Sequence, residues 1–229
     1  MSVSVGTVTT FNRTVAAYPW SDSFNAVIDA SATAVLLFIA NASGLTINPT
    51  VTVGGTAATF LATATNSGSD GTIWIFGLLA PPTGSSVAIS ISNSSNYANI
   101  GACGVVPLIG TATSGAFEVY GVLANNTDSQ TLSITTLTAN DLIITAGFVY
   151  YNSAAPTTSG TATLTQIYLA TQTNFQLYGY SMPAATAGAF SQTFTATYNP
   201  TGLAMVGVVV GGGGGMTFLQ RMTLIGCGS

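Results

Sequence analysis

Short runs rich in Val, Ile, Thr, Phe and Tyr recur along the chain at intervals of roughly 8 to 12 residues, each closed by a cluster of Gly, Pro, Asn, Asp or Ser. This spacing predicts an all-β protein. In the first half it places strands over 3–9, 24–28, 34–41, 50–53, 58–64, 72–79, 86–92 and 100–109. In the second half it places them over 130–135, 141–150, 162–168, 175–182, 191–198, 203–210 and 216–225. β-Branched residues are abundant while Glu, Lys and Arg are scarce, so little or no helix is expected.

The turn chemistry agrees with these strands. Gly54-Gly55 is expected to close a tight hairpin after 50–53, and the stretch 66–71, reading Asn-Ser-Gly-Ser-Asp-Gly, joins 58–64 to 72–79 as a local antiparallel pair. Pro81-Pro82-Thr83-Gly84 ends a strand, because proline cannot donate to a ladder and glycine then supplies a positive φ. The runs 36–40, 100–106 and 203–210 are apolar almost without a break, where a sheet with one wet face would alternate. Continuous apolarity implies burial on both faces. One face meets the core of a two-sheet sandwich; the other meets a neighbouring subunit or an appended segment, unless its Ala and Gly simply tolerate water.

No linker divides the chain, since the Ser/Thr/Ala-rich stretch 152–160 reads as a long hairpin or crossover loop. One domain is expected over 1–229, with a core at about 24–210 and strand-like extensions at 1–15 and 211–229. Gly211 to Gly215 form a flexible hinge before the last apolar segment. Two placements stay open for these ends. They pair within their own chain, or they lie on a sheet edge of a neighbouring subunit, with Val3, Val5, Val8, Met216, Phe218, Leu219, Leu224 and Ile225 as the contact residues.

Charge narrows the function classes sharply. The 229 residues contain 3% charged side chains, two Arg, no Lys and no His, for a net charge of −4. A basic footprint for nucleic acid is therefore missing. The composition is 48% hydrophobic, which argues for folding rather than disorder. The longest apolar runs fall well short of the ~18 residues of a spanning helix, so no membrane insertion is expected. The first residues show neither the basic start nor the apolar stretch of a secretory signal. So few charges supply little mutual repulsion, and a homo-oligomer is expected.

Without His or Lys, the usual general bases, Schiff-base nucleophiles and imidazole ligands are missing, and a Ser-His-Asp triad is excluded. Asp22 and Asp29 are the nearest approach to a carboxylate pair, but both read as loop residues, and no enzyme is expected. Calcium is the one metal whose ligand chemistry the chain could offer. Asp22, Asp29, Asp70 and Asp128 lack calcium-loop spacing, however, and read as turn residues, with Asp141 structural at the head of a strand. No cofactor is expected. Cys103 and Cys227 either pair or stay as thiols, with Cys103 expected reduced and buried. Tyr150, Tyr151, Tyr168, Tyr178, Tyr180 and Tyr198 would serve a glycan ligand if exposed, and cross-strand packing otherwise.

Three segments carry a resemblance. They are 51–60, reading VTVGGTAATF; 74–84, reading WIFGLLAPPTG; and 87–92, reading VAISIS. With 102–110, 132–135, 141–147 and 203–210, they resemble a jelly-roll-like antiparallel β-sandwich module found in tailed-phage virion proteins and bacterial extracellular or surface proteins. The resemblance covers about 24–210 and brings no catalytic motif. It implies a structural protein of a virus particle, a capsid decoration or cement protein or a tail-associated one, partnered by itself and by other virion proteins. The alternative it implies is a subunit of an extracellular filament or surface layer built by strand exchange, and after that a carbohydrate-binding module.

Overall fold

The computed structural model describes residues 2–13, 20–42, 47–65, 71–94, 101–125, 129–137, 139–150, 157–172, 175–195 and 202–210. Among these the regular elements are all strands. The first half holds β1 (Ser4–Val5), β2 (Thr9–Arg13), β3 (Trp20–Ile28), β4 (Ala32–Asn41), β5 (Thr50–Val53), β6 (Thr56–Ala57), β7 (Thr59–Thr65), β8 (Thr72–Leu79), β9 (Gly84–Asn93) and β10 (Gly101–Ile109). The second half holds β11 (Phe117–Asn125), β12 (Ser129–Thr136), β13 (Asp141–Tyr150), β14 (Thr157–Gly160), β15 (Thr165–Gln172), β16 (Phe175–Ala184), β17 (Gly188–Thr195) and β18 (Gly202–Val210).

The all-β expectation holds, and the pairings are antiparallel throughout. The glycine pair at 54–55 closes the β5–β6 hairpin with both φ angles positive, at 55° and 82°. Some boundaries differ. The strand expected over 3–9 breaks at Gly6, where the Asp29 carboxylate accepts from the Thr7 amide at 2.6 Å and the Thr7 hydroxyl at 3.0 Å. The strand expected from 24 begins at Trp20, 162–168 moves to Thr165–Gln172, part of the expected 152–160 loop is β14, and β11 lies where no strand was expected. The segment 216–225 lies outside the described residues.

The strands form four sheets, arranged as four layers. The first inner sheet has the order β2-β10-β4-β8-β7, with β1 continuing β2 along the same edge of β10; the first outer sheet is β3-β9-β5-β6. The second inner sheet is β11-β18-β13-β16-β15, and the second outer sheet is β12-β17-β14. One core fills the space between the first outer and first inner sheets, with Val35, Leu37, Trp74, Val105, Ile89 and Ile91 fully or nearly fully buried. A second lies between the second inner and outer sheets around Ile143, Tyr178 and Phe194. The third and largest joins the two inner sheets through Leu36, Phe38, Ile73 and Ile75 on one side and Ile144, Phe148, Phe175 and Leu177 on the other.

The two halves have the same strand order. Replacing β2, β10, β4, β8 and β7 by β11, β18, β13, β16 and β15 reproduces the second inner sheet, and β3-β9-β5 maps onto β12-β17-β14. Irregularities repeat as well. Phe60 stands opposite Phe76 and Ala62 opposite Ile75, so Leu61 bulges; Gln166 stands opposite Tyr180 and Tyr168 opposite Gly179, so Ile167 bulges at the same place. Both halves enter the outer sheet through a glycine of almost identical φ, Gly84 at 152° and Gly188 at 153°. The packing is reciprocal: β7 lies against β11 as β15 lies against β2. The molecule is thus a covalent pair of like sandwiches meeting across a pseudo-twofold axis, as in an isologous dimer. Each half is a two-sheet sandwich, and the two are joined face to face.

This arrangement explains the unbroken apolar run in β4. Both faces of the first inner sheet are covered, one by the outer sheet of its own half and one by the other half of the same chain. No neighbouring subunit is needed for that burial.

The inner contact is complementary rather than symmetric. Rings of the second half, Phe148, Phe117 and Tyr168, sit over Gly71, Gly77 and Gly104 of the first, where a Cβ would collide with them. By register, the equivalents of these pairs are Ala40 with Phe175, Val5 with Ser181 and Ala62 with Val206. Large side chain and hollow therefore occur at these places once, not twice. Pairing two first halves would set hollows opposite small residues, so the interface favours unlike halves.

Candidate functional site

Among the described residues, no group of three or more His, Cys, Asp or Glu side chains comes together. The two carboxylates closest in sequence are held apart by structure. Asp22 lies on β3 rather than in a loop, whereas Asp29 follows the other end of the same strand. At about 3.3 Å per residue the two are roughly 23 Å apart, too far for a pair flanking a glycosidic bond. Asp29 does sit in a turn, its carbonyl accepting from the Ala32 amide at 2.9 Å. Asp141 is buried at the head of β13. Asp70 and Asp128 lie outside the described residues.

A half-open cleft at the mouth of the first sandwich is lined by Phe11, Asp22, Ile39, Asn41, Ile91 and Cys103. The strand alternation that sends Val35, Leu37 and Ile39 toward the first outer sheet brings Asn41 to the same face. Opposite, β3 turns Asp22 inward beside Ile91. Asn41 is 1% exposed, and neither Oδ1 nor Nδ2 finds a partner in the protein. A buried amide left in that state costs roughly 1–3 kcal/mol.

Cys103, on β10 opposite Ile39, is a buried free thiol, as expected. Burial, and secondarily the charge of Asp22, pushes its pKa up. Cys227 lies outside the described residues. The thiol is protonated near neutrality and is a poor nucleophile.

The second sandwich has a more polar interior. Thr145 Oγ1 donates to Gln192 Oε1, and the Tyr178 hydroxyl donates to Gln176 Oε1. Tyr178 and Tyr180 both pack edge-on against Phe194, with ring centroids 5.6 and 6.3 Å away. Tyr168 is buried between the inner sheets. These three tyrosines are packing residues and form no exposed platform for a sugar; Tyr151 and Tyr198 lie outside the described residues. Burial pushes up the pKa of Tyr168, Tyr178 and Tyr180, and for Tyr180 a hydrogen bond with Thr158 works the other way.

A pH dependence follows. An unfolded thiol loses its proton near pH ~8.5 and an unfolded tyrosine near ~10, while the buried groups hold theirs to higher pH. Above those values the unfolded state binds fewer protons than the folded one, so stability falls as pH rises; below them these groups contribute no slope. Urea unfolding is expected to show a lower midpoint at about pH 10 than at about pH 7, and Cys103→Val to remove the part of the loss that begins near pH ~8.5.

Of the expected subunit-contact residues, Val3 is buried in the core between the inner sheets, and Val5 and Val8 pack against that core. They follow the edge of β10 in their own chain. Met216, Phe218, Leu219, Leu224 and Ile225 lie outside the described residues. No helix among the described residues is long and apolar enough to cross a membrane. No family model and no curated protein matches the chain.

A feature that residue-by-residue reading missed is the pair of outward faces. On the first outer sheet Ser21, Ser23, Asn25, Ala88, Ser90 and Ser92 face outward, and on the second Ser129, Thr131, Ser133, Thr135, Thr157 and Ser159. Hydroxyls join across the strands, Ser129 to Thr195 at 3.0 Å and Thr131 to Thr193 at 2.8 Å. The strict exposed-buried alternation of 129–136 in the sequence is the signal that could have located this face.

Proposed function

We propose that the chain is a non-enzymatic structural protein of a virus particle, a capsid decoration or tail-associated protein of a tailed phage, working by homo-oligomeric packing of its sandwiches. The observation that carries this is the pair of outer sheets, two β faces of small hydroxyl and amide side chains with no charge to desolvate on contact. The strand order of each half, when its strands are numbered afresh and β1 and β6 are counted with β2 and β7, is 1-8-3-6-5 in the inner sheet and 2-7-4 in the outer one, with β6 extending the first outer sheet to 2-7-4-5, and this order supports the jelly-roll-like reading. The interior supports a durable part: apolar on both faces of an inner sheet, with the described strands already tied within one chain.

Light scattering on the purified chain, with negative-stain images of the same fractions, tests this. A small closed oligomer is expected. Concentration-dependent growth into regular threads would replace the virion reading with the filament one.

A further inference from the structure

A strand at the edge of a sheet presents backbone donors and acceptors to strands of other chains, and folded proteins blunt such edges with charge, proline, bulges or shortness. All but one of the described edge strands are blunted in these ways. β2 carries Arg13, β1 and β6 have two residues each, and β14 has four. β3 turns Asp22 inward and bulges before Ile28, where the Val27 amide donates to Thr9 Oγ1 at 3.2 Å. β7, β11 and β15 each carry a bulge. β12 has none of these features: its eight residues hold no charge and no proline, and its register with β17 is unbroken from Ser129 to Thr136.

The direction of its free backbone groups follows from the neighbouring ladder. Register sets Thr161 opposite Ser191, and the Thr161 amide donates to the Ser191 carbonyl at 2.9 Å, so on β17 the backbone groups of Ser191, Thr193 and Thr195 face β14. Those of Phe190, Gln192 and Phe194 face β12, where they meet Ile134, Leu132 and Gln130. The N–H and C=O groups of Thr131, Ser133 and Thr135 therefore point off the sheet, and among the described residues no strand lies beyond them. Their side chains stand exposed on the outward face.

We propose that β12 pairs antiparallel with β12 of a second copy across a twofold axis at Ser133, joining two three-stranded outer sheets into one. This rests on the homo-oligomeric reading above and names its contact. An isologous pair sets a strand against itself, so any charge on it would face a like charge; β12 has none, and its Ser and Thr hydroxyls both donate and accept. With Ser133 opposite the second copy's Ser133, Thr131 stands opposite Thr135 and Leu132 opposite Ile134. This register uses all the N–H and C=O groups that residues 131, 133 and 135 turn outward. Hydroxyl then meets hydroxyl on the outer face and apolar meets apolar on the inner one, whereas a slip of one residue would mix the two. Because β3, the counterpart of β12 in the first half, is blunted, pairing by this edge closes at two copies.

Light scattering and oxidative cross-linking of the full chain test this. Ser133→Pro removes an N–H that serves no ladder within the chain, so the melting transition should be kept while the mass of the wild-type assembly falls about twofold. In a Cys227→Ser background, Ser133→Cys should form a covalent dimer under mild oxidation, because directly opposed residues of an antiparallel pair lie within disulfide reach. Thr193→Cys, one strand further in on the same face, should not. If Ser133→Pro unfolds the chain, the cysteine variants decide. An assembly whose mass Ser133→Pro leaves unchanged, or a Ser133→Cys protein that is oligomeric yet does not cross-link, overturns the edge pairing and leaves the homo-oligomeric reading standing. Cross-linking through Thr193→Cys instead would mean that the outer faces stack on one another, and the edge pairing fails. A wild type that is monomeric at every concentration overturns both.

Discussion

Gly104→Val is expected to destabilise the chain by about 1–3 kcal/mol, and Tyr168→Ala by about 3–5 kcal/mol, yet the double variant should cost clearly less than the sum. A Cβ on Gly104 would lie 2.7 Å from the Tyr168 ring, so any side chain there must displace it. Tyr168→Ala alone leaves a hollow between the inner sheets. Made together, the two changes give this contact the residue types that register places at its twofold-related position, Ala62 and Val206. Urea unfolding of the four proteins measures the coupling. A coupling above ~1 kcal/mol is expected for residues in contact, and strict additivity would show that the ring does not sit over the glycine.

Trp74→Ala should be the costliest single truncation in the first sandwich, about 3–5 kcal/mol. The indole is fully buried, and its Nε1 has no hydrogen-bond partner in the protein. Trp74→Phe is therefore expected to cost much less than Trp74→Ala, because no hydrogen bond is lost and most of the ring is kept. The loss should also be felt throughout the molecule. The first inner sheet belongs both to its own sandwich and to the core shared with the other half, so both halves should unfold in a single calorimetric transition whose midpoint falls with the substitution. Two separate transitions, with only one moved by Trp74→Ala, would mean that the inner contact is weaker than its apolar content suggests.

Much of this fold could be read from the pattern of residues. The hairpin at 54–55, the strand-ending prolines at 81–82 and the doubly buried β4 follow from turn chemistry and from apolar runs. The repeat could not be read, because the halves share topology rather than residues. Identities between matched positions are scattered, such as Thr59 with Thr165, Ala64 with Ala170, Gly84 with Gly188 and Ala102 with Ala204. At the inner contact the copies differ where they meet, Ala62 against Tyr168 and Ile75 against Gly179, since each half now complements the other. β11 escaped notice because Glu118 and Gly121 interrupt its apolar pattern and a bulge shifts its register. Asp22 looked like a turn residue from its polar neighbours Ser21 and Ser23, which are the outward-facing positions of the strand that carries it.

The proposed assembly through the uncharged outer sheets is tested by light scattering of the wild type beside a variant carrying Ser90→Lys, Thr131→Lys and Ser133→Lys. These residues are exposed on the outer faces, so the variant should fold normally, with an unchanged circular dichroism spectrum and melting transition. An oligomer is expected for the wild type and a monomer for the variant, because lysines opposed across a close contact must be desolvated. A wild type that stays monomeric at every concentration, or a variant that assembles as the wild type does, would contradict it.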